Sequence, residues 1–225
     1  MSFSIAQPDG TPLTDYATGP GPHTGIHVIT VDENLTWIDH KHPPVGADGK
    51  VSEEITYPAP GRYRTVVDAY PATGQRNFQL FHWVDVDGTG PIKKMPPFKS
   101  TVVDKGFRIT MKSNPNLKAL EASFLDATVT NPQGKPATFT PYFGALAHAI
   151  FFRAESLDYF HTHVCAPGAT GCTSAIGGAQ VTGTSSKPGE LRVGVLLPVA
   201  GTWRLFLQME ADGKLLTAPF TLTVT

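Results

Sequence analysis

The sequence is poor in charged residues. Only 16% of its positions are Asp, Glu, Lys or Arg, whereas soluble domains typically carry about a quarter. The formal net charge is -1, and no long run of Lys or Arg occurs. The chain therefore lacks the positive patch that binding to nucleic acid or to an anionic membrane requires, and we expect no nucleic-acid partner.

Long apolar segments are also missing. No apolar run approaches the roughly 20 residues that a membrane-spanning helix needs. The start, "MSFSIAQPDG", has neither the basic nor the apolar region of a signal peptide. We expect no membrane insertion of this chain. A secreted, cell-surface or periplasmic location, with a leader already removed, is a hypothesis at this point.

Cysteine is scarce. Cys165 and Cys172 are the only two, separated by six residues in "CAPGATGC". They can form a disulfide, which would indicate an oxidising compartment. They can instead join the neighbouring histidines as thiolate ligands of zinc. We favour the disulfide, because the repeat described next has histidines but no cysteine in its first copy.

An internal repeat dominates what the sequence contains. Residues 27–42, "HVITVDENLTWIDHKH", align with residues 148–163, "HAIFFRAESLDYFHTH", and both read His, twelve residues, His-x-His. Downstream, "PAPGRYR" resembles "PVAGTWR". With 8 His in 225 residues, three chosen positions would all be His by chance on the order of once in 20,000. Duplication followed by retention of these imidazoles explains the pattern.

The repeat and the many short runs of β-branched or aromatic residues between Gly and Pro predict an all-β protein. We expect two tandem Ig-like or cupredoxin-like antiparallel β-sandwich domains related by internal duplication. The first covers residues 1–90, a Pro-rich linker covers 91–103, and the second covers 104–225 with an inserted loop at 164–190. "EEITYPAPG" is one of the predicted strands.

The histidines are expected to converge within each repeat. Alternation places His27 on the same face as Ile29 and Val31, which we interpret as the core face. If the following aromatic stretch folds back as a hairpin, its His-x-His pair returns to the first His. Three imidazoles with an open position are typical of zinc or copper sites. The predicted ligands are His27, His40 and His42 in the first repeat and His148, His161 and His163 in the second.

A fourth position recurs in both repeats. Asp68 and Gln208 each lie seven residues after the Gly of "PGRYR" or "AGTWR". Either can be a further ligand, an acceptor that orients an imidazole, or simply a polar residue on an outer strand face. His23 has no counterpart and is a possible accessory, whereas His82 is interpreted as a packing residue.

These motifs resemble a family. The order "GIHVITV", "HKHPP", "PAPGRYRTVVDAY", "PYFGALAHAIFF" and "YFHTHV" is similar to that of little-characterised secreted or lipid-anchored bacterial proteins, frequent in actinobacteria and labelled heavy-metal-binding. The resemblance covers nearly the whole chain. It implies an extracytoplasmic two-domain β-sandwich protein linked to a metal, usually copper, with the six histidines, Asp68 and Gln208 at the family's polar positions.

Three functions stay open on the sequence. The favoured one is capture or buffering of copper, or alternatively zinc, outside the cytoplasm, with a metal-transport protein as a possible partner. The second is a metalloenzyme, an oxidoreductase or hydrolase, which is less favoured because no companion acid/base pair is visible and no residue can be assigned as catalytic. The third is a structural or adhesion protein whose histidines bind no metal.

Overall fold

The computed structural model describes residues 1–19, 21–72, 77–91, 93–172, 175–176 and 179–225. Within these ranges every regular element is a β-strand and no helix occurs, so the predicted all-β class is confirmed. No helix in this described part has the length and apolarity needed to cross a membrane. The chain divides into two compact units, one running to Lys94 and the other starting at Met95, with residues 20–22 grouped with the second.

The described residues of the first unit form six strands arranged in two sheets. The strands are β1 (Ser2–Ser4), β2 (Ile26–Asp32), β3 (Ile38–Lys41), β4 (Lys50–Ser52), β5 (Gly61–Ala69) and β6 (Phe78–Val86). Strands β1 and β4 form a small sheet, and the other four form an antiparallel sheet in the order β3-β2-β5-β6. Apolar side chains of both sheets, among them Val51, Val28 and Val67, form one buried cluster. This unit is therefore a small sandwich.

The second unit is larger. Its strands are β7 (Thr101–Asp104), β8 (Phe107–Met111), β9 (Asn116–Leu117), β10 (Ser123–Thr130), β11 (Phe139–Thr140), β12 (Ala147–Arg153), β13 (Tyr159–Cys165), β14 (Ala175–Ile176), β15 (Ala179–Gln180), β16 (Gly183–Thr184), β17 (Glu190–Val195), β18 (Gly201–Ala211) and β19 (Lys214–Val224). All except the β14-β15 pair belong to one sheet, mainly in the order β7-β8-β10-β17-β16-β13-β12-β18-β19-β9.

This long sheet folds over one core. Side chains from β8, β10 and β17 share a single buried cluster with side chains from β12, β18 and β19. The two halves of the sheet are joined through the two-residue strand β16, which pairs with β13 on one side and with β17 on the other. At Gly194 of β17 an added Cβ would clash with the backbone carbonyl oxygen of Val181, so this close approach of the two backbones requires glycine.

Several segments differ in detail from the prediction. The predicted strand "EEITYPAPG" covers residues 53–61, which lie between β4 and β5. Residues 53–60 are irregular and only Gly61 belongs to a strand, because Pro58 and Pro60 cannot donate to a ladder. Strand β7 begins inside the segment predicted as the 91–103 linker, since Thr101–Asp104 pairs with β8. The predicted 164–190 loop contains β14, β15 and β16, and its residues 173–174 and 177–178 lie outside the described residues.

The face assigned to the histidines is buried, as predicted, but the opposite face of each strand is the one that joins the hydrophobic cluster described above for its unit. Ile26 and Val28 belong to the hydrophobic cluster of the first unit, whereas His27 and Ile29 point to the opposite face of β2 and are also buried. In the second unit Ala147 and Phe151 are likewise in the core cluster and His148 is on the other face. Both strands are apolar on both faces, so alternation alone does not identify which face meets the unit's own core.

Candidate metal centres

Both units use the same strand register to gather their histidines. In the second unit His148 on β12 directly faces His163 on β13, and Ile150 faces His161. In the first unit Ile29 on β2 faces His40 on β3, so the continued register places His27 opposite His42. The hairpins predicted from the sequence are confirmed, and each brings three imidazoles together.

The turn of the first hairpin is fixed by a carboxylate. Asp32 accepts hydrogen bonds at 2.7 Å from the backbone N–H groups of Thr36 and Trp37 and from the Thr36 hydroxyl. Leu35 adopts a φ of 53° within this turn, a left-handed conformation that a non-glycine residue tolerates only when its neighbours hold it. This turn sets the register that aligns His40 with the β2 strand.

A third strand supplies the recurring polar residue. His27 faces Asp68 on β5, and His148 faces Gln208 on β18. Directly opposed residues of an antiparallel pair have Cβ atoms about 4.5–5.5 Å apart, so each polar side chain lies beside the first imidazole of its cluster. The structure therefore gathers all eight predicted site residues into two sets of four.

The second cluster has convergent nitrogens. Ligand atoms of His148, His161 and His163 all lie within 4.8 Å of one another. His148 Nδ1 is 3.2 Å from His161 Nε2. The rings of His161 and His163 are 4.4 Å apart, and those of His148 and His163 are 4.9 Å apart and nearly perpendicular. His148 and His163 are fully buried, and His161 is half-buried.

Hydrogen bonds determine which nitrogen of His148 faces the cluster. His148 Nε2 is 2.8 Å from the carbonyl oxygen of Tyr142. A carbonyl only accepts, so Nε2 carries the proton and Nδ1, which faces His161, is the lone-pair nitrogen. On the other side, the Tyr159 hydroxyl is 3.0 Å from His161 Nδ1. The Tyr159 hydroxyl can donate or accept, so His161 can adopt either tautomer.

Gln208 completes this cluster. Its amide nitrogen donates to the Thr217 hydroxyl at 3.1 Å, and the side chain is 5% exposed. Because Thr217 holds the nitrogen end, the amide oxygen is the end that can contact an imidazole N–H or a cation. The residue is neutral in every protonation state of the cluster.

The first cluster is arranged differently. His40 Nε2 and His42 Nε2 are 3.1 Å apart, a separation equivalent to that of the second cluster. His27, however, stacks on His42 with ring centroids 3.8 Å apart and planes at 28°. A metal ion lies in the plane of the imidazole that binds it, so two stacked rings do not aim at one point. One of these two rings must rotate before His27, His40 and His42 can share an ion.

The carboxylate of Asp68 is firmly held beside this cluster. It is 2% exposed and accepts hydrogen bonds from the Tyr70 hydroxyl at 3.3 Å, from Asn77 Nδ2 at 3.3 Å and from Gln79 Nε2 at 3.0 Å. Burial raises the pKa of Tyr70, and the neighbouring Asp68 carboxylate raises it further. Tyr70 is therefore a neutral donor that orients Asp68.

Tyrosine side chains are the part of both sites that the sequence analysis missed. The rings of Tyr70 and His27 have centroids 5.0 Å apart. The ring of His23 stacks on the ring of Tyr70 with centroids 5.4 Å apart. Burial lowers the pKa of His23. Tyr159 and Tyr70 each lie two residues from a predicted site residue, and this i, i+2 spacing on a strand was a usable signal.

The cysteines are joined to each other. Cys165 and Cys172 form a disulfide with their Cα atoms 6.3 Å apart, and the described chain has no free cysteine. The predicted disulfide is confirmed, and the thiolate-ligand alternative is excluded while it stays intact. Cys165 ends β13 two residues after His163, so the disulfide anchors the end of the ligand strand and packs with Ala145.

Comparison with known proteins assigns the second unit to a family. Residues 100–225 match the family model described as a domain of unknown function, DUF8832. The chain belongs to this DUF8832 family. Its matched region contains His148, His161, His163 and Gln208, so the complete second cluster lies inside the family domain.

Other comparisons are weaker. No curated protein matches the sequence. Among solved structures, domains 4 and 5 of the S-layer protein SbsC align with a TM-score of 0.27 at 12% identity, covering 99% of this chain and 79% of that one. Invasin, a bacterial integrin-binding protein, aligns with a TM-score of 0.30 at 13% identity, covering 100% of this chain and 35% of that one. At these scores neither similarity bears on function.

Proposed function

We propose that this DUF8832 protein is an extracytoplasmic metal-binding protein that captures or buffers copper, with zinc as the alternative, through one three-histidine cluster in each unit. The observation that carries the proposal is the convergence of His148, His161 and His163, whose ligand nitrogens lie within 4.8 Å of one another. Three imidazole nitrogens suit copper and zinc and leave a position open for a further ligand.

The nitrogen spacing fits a shared ion. Two nitrogens bound to one zinc ion at its usual distance of 2.0–2.1 Å are about 3.3 Å apart in a tetrahedral site. His148 Nδ1 and His161 Nε2 are 3.2 Å apart, and His40 Nε2 and His42 Nε2 are 3.1 Å apart. Small ring rotations would let an ion replace the direct contact between each pair.

The hydrogen-bond network of the second cluster supports such a replacement. Without an ion, His161 Nε2–H donates to His148 Nδ1 and the Tyr159 hydroxyl donates to His161 Nδ1. With an ion between Nδ1 of His148 and Nε2 of His161, His161 would carry its proton on its own Nδ1 instead. That N–H would then donate a hydrogen bond to the Tyr159 hydroxyl oxygen. The cluster thus exposes two lone pairs to the ion without an unfavourable loss of a proton from a neutral imidazole.

The disulfide supports the proposed location. Stable disulfides form in secreted, periplasmic and cell-surface proteins and are rare in the cytosol. In such compartments a protein that holds copper or zinc would meet ions before they reach a transport protein. A metal-transport partner remains part of the proposal.

The same distances between imidazole nitrogens are also compatible with a structural role for the histidines. Separations of 3.1 and 3.2 Å between imidazole nitrogens also fit hydrogen bonds between neutral histidines. In that case the clusters would only fix the hairpins of a structural or adhesion protein, and removal of one histidine would lower stability without any effect on metal uptake.

The test is metal uptake by untagged protein. The chain is stripped with a chelator, dialysed against copper or zinc and analysed for bound metal, with His82→Ala as the matched control because His82 is exposed and lies outside both clusters. We expect about two equivalents in the wild type and in the control. His161→Ala should lose an equivalent while the metal-free variant stays within about 1 kcal/mol of wild-type stability. Absence of uptake by the folded wild type would contradict the proposal, and a large stability loss in His161→Ala would favour the structural role.

A further inference from the structure

Strand β6 forms an edge of the four-stranded sheet in the first unit. The sheet order ends at β6, and among the described residues this strand pairs with β5 alone. Phe78–Val86 is nine residues long, and the backbone N–H and C=O groups on its side away from β5 have no strand partner among the described residues. Such an edge is a template for another strand.

Natural edge strands usually carry protection, and β6 has little. Its sequence, "FQLFHWVDV", contains no proline and no lysine, the residues most often used to prevent edge pairing. Leu80 and Phe81 at its centre are 46% and 47% exposed. His82 is also exposed, so its interpretation as a packing residue was wrong.

Arginines from β5 hold the aromatic side chains of β6 in place. Arg62 lies over the Trp83 ring at 4.1 Å, and Arg64 lies over the Phe81 ring at 4.6 Å and the Trp83 ring at 5.1 Å. These cation–π contacts fix the rings on the sheet face before any partner arrives. An ordered apolar face loses less conformational entropy on association than a mobile one.

We propose that β6 is a docking surface for β6 of a second copy of this chain, paired antiparallel about a two-fold axis at His82. In this register residue numbers of facing positions add to 164, so Leu80 faces Val84, Phe81 faces Trp83 and His82 faces His82. The pattern is self-complementary, as a two-fold interface requires. The two sheets become one eight-stranded sheet.

A hydrogen bond between facing side chains favours the second copy as the occupant in this register. Asp85 of one copy faces Gln79 of the other, and the Gln79 amide, which already donates one N–H to Asp68, has a second N–H for the carboxylate. Asp85 is 3.7 Å from Arg62 within its own copy. A register centred on Asp85 would instead place two carboxylates opposite each other, which is destabilising.

The first test is the concentration dependence of the molar mass of the full chain, measured by sedimentation. We expect wild-type protein to dimerise and Leu80→Lys to weaken association at least tenfold, because it places two lysines at the new strand pair. The matched control is Val103→Lys, since Val103 is 61% exposed on β7 of the other unit and should leave association unchanged. A wild type that stays monomeric at high concentration, or equal effects of the two variants, would overturn the proposal.

The second test reads the register itself. The native cysteines are joined, so a single introduced cysteine is the only free thiol. In His82→Cys the two new residues face each other, and Cα atoms of facing antiparallel residues, about 4.5–5.5 Å apart, suit a disulfide. In Val84→Cys the two cysteines are separated by about 13 Å along the strands. Rapid cross-linking of His82→Cys alone is expected. Equal cross-linking of both variants, or none in His82→Cys, would overturn the register.

Discussion

The two histidine clusters share one strand register. They differ in the charge of the residue that faces the first histidine from the third strand and in the orientation of their imidazole rings. The first has a buried carboxylate, Asp68, held by three neutral donors, whereas the second has the neutral Gln208 at the same register position. The second has nitrogens that already converge, whereas the first has His27 stacked on His42. The duplicated hairpin therefore determines where the three histidines of each cluster lie. The residue on the third strand and the ring orientations distinguish one cluster from the other.

Two energy contributions to metal binding at the first cluster oppose each other: the cost of rotating a stacked ring and the attraction between the Asp68 carboxylate and the cation. Rotating one imidazole of the stacked pair costs on the order of 1 kcal/mol if its side chain leaves its preferred rotamer. A unit charge about 6 Å from another contributes roughly 3 kcal/mol at the effective dielectric constant of a protein surface, and more for a divalent ion. The carboxylate outweighs the rotation, so we expect divalent ions to favour the first cluster despite its less convergent rings.

Removing one complete cluster should have the largest effect. Replacing His148, His161 and His163 together with Ala should reduce bound metal from about two equivalents to one, and the corresponding replacement of His27, His40 and His42 should do the same, because each repeat supplies three of the six proposed imidazole ligands. Elemental analysis of dialysed protein provides the measurement. If either triple variant alone lost all the metal, the assignment of one metal site to each repeat would be wrong.

Acid should weaken both clusters alike. Imidazole binds a metal only when neutral, and its ordinary pKa is about 6.5. Affinity should therefore fall as pH falls below that value, by up to about three powers of ten per pH unit when three ligands compete with protons. Copper titration between pH 8 and pH 5 measures this slope. An affinity that stayed flat over this range would identify carboxylates as the ligands and would contradict the account.

Substitution of Asp68 or Gln208 should test how much the charge beside each cluster contributes to metal affinity. Asp68→Asn keeps the size of the side chain and removes its charge, so divalent affinity of the first cluster should fall about tenfold to a hundredfold. Gln208→Glu is the reciprocal change and should increase divalent affinity of the second cluster. Competition titrations with a chromophoric chelator measure both. Equal affinities before and after Asp68→Asn would show that ring geometry, not charge, distinguishes the clusters.

The disulfide exists only in the second unit, and its removal should affect only that cluster. A closed loop with a sequence separation of 7 restricts the unfolded chain by about 2.5 kcal/mol. The variant with Cys165→Ser and Cys172→Ser should lose about this free energy of unfolding in denaturant titration. The end of β13 should also loosen near His163, weakening the second cluster. A matching loss of metal from the first cluster would contradict a role of the disulfide that is confined to the second.

Tyr159 provides the smallest expected change. The equivalent position in the first repeat is Ile38, whose side chain has no hydroxyl, whereas the Tyr159 hydroxyl lies 3.0 Å from His161 Nδ1. Tyr159→Phe removes the acceptor for the Nδ1 proton in the metal-bound state and should weaken that cluster by up to about tenfold. Isothermal titration of the variant measures the change. An unchanged affinity would show that His161 does not change tautomer on binding.

The sequence predicted which residues of the two clusters come together better than it predicted the packing and hydrogen bonds around them. The repeated His, twelve residues, His-x-His spacing and the shared seven-residue distance to Asp68 and Gln208 depend only on strand periodicity and hairpin pairing, so the register followed from them. The sequence did not show which face of β2 joins the hydrophobic cluster that contains Val51, because "IHVITV" is apolar on both faces and both are buried. Tyr142 was equally inaccessible, since its backbone carbonyl, not its side chain, contacts His148.

X-ray absorption at the metal edge of the loaded protein tests the central claim most directly. With copper or zinc bound, the account predicts a shell of about three nitrogen neighbours near 2.0–2.1 Å, together with the outer scattering of imidazole rings. The shell should persist in the His82→Ala control. A shell of oxygen alone, without imidazole scattering, would contradict the assignment of either histidine cluster as a metal centre.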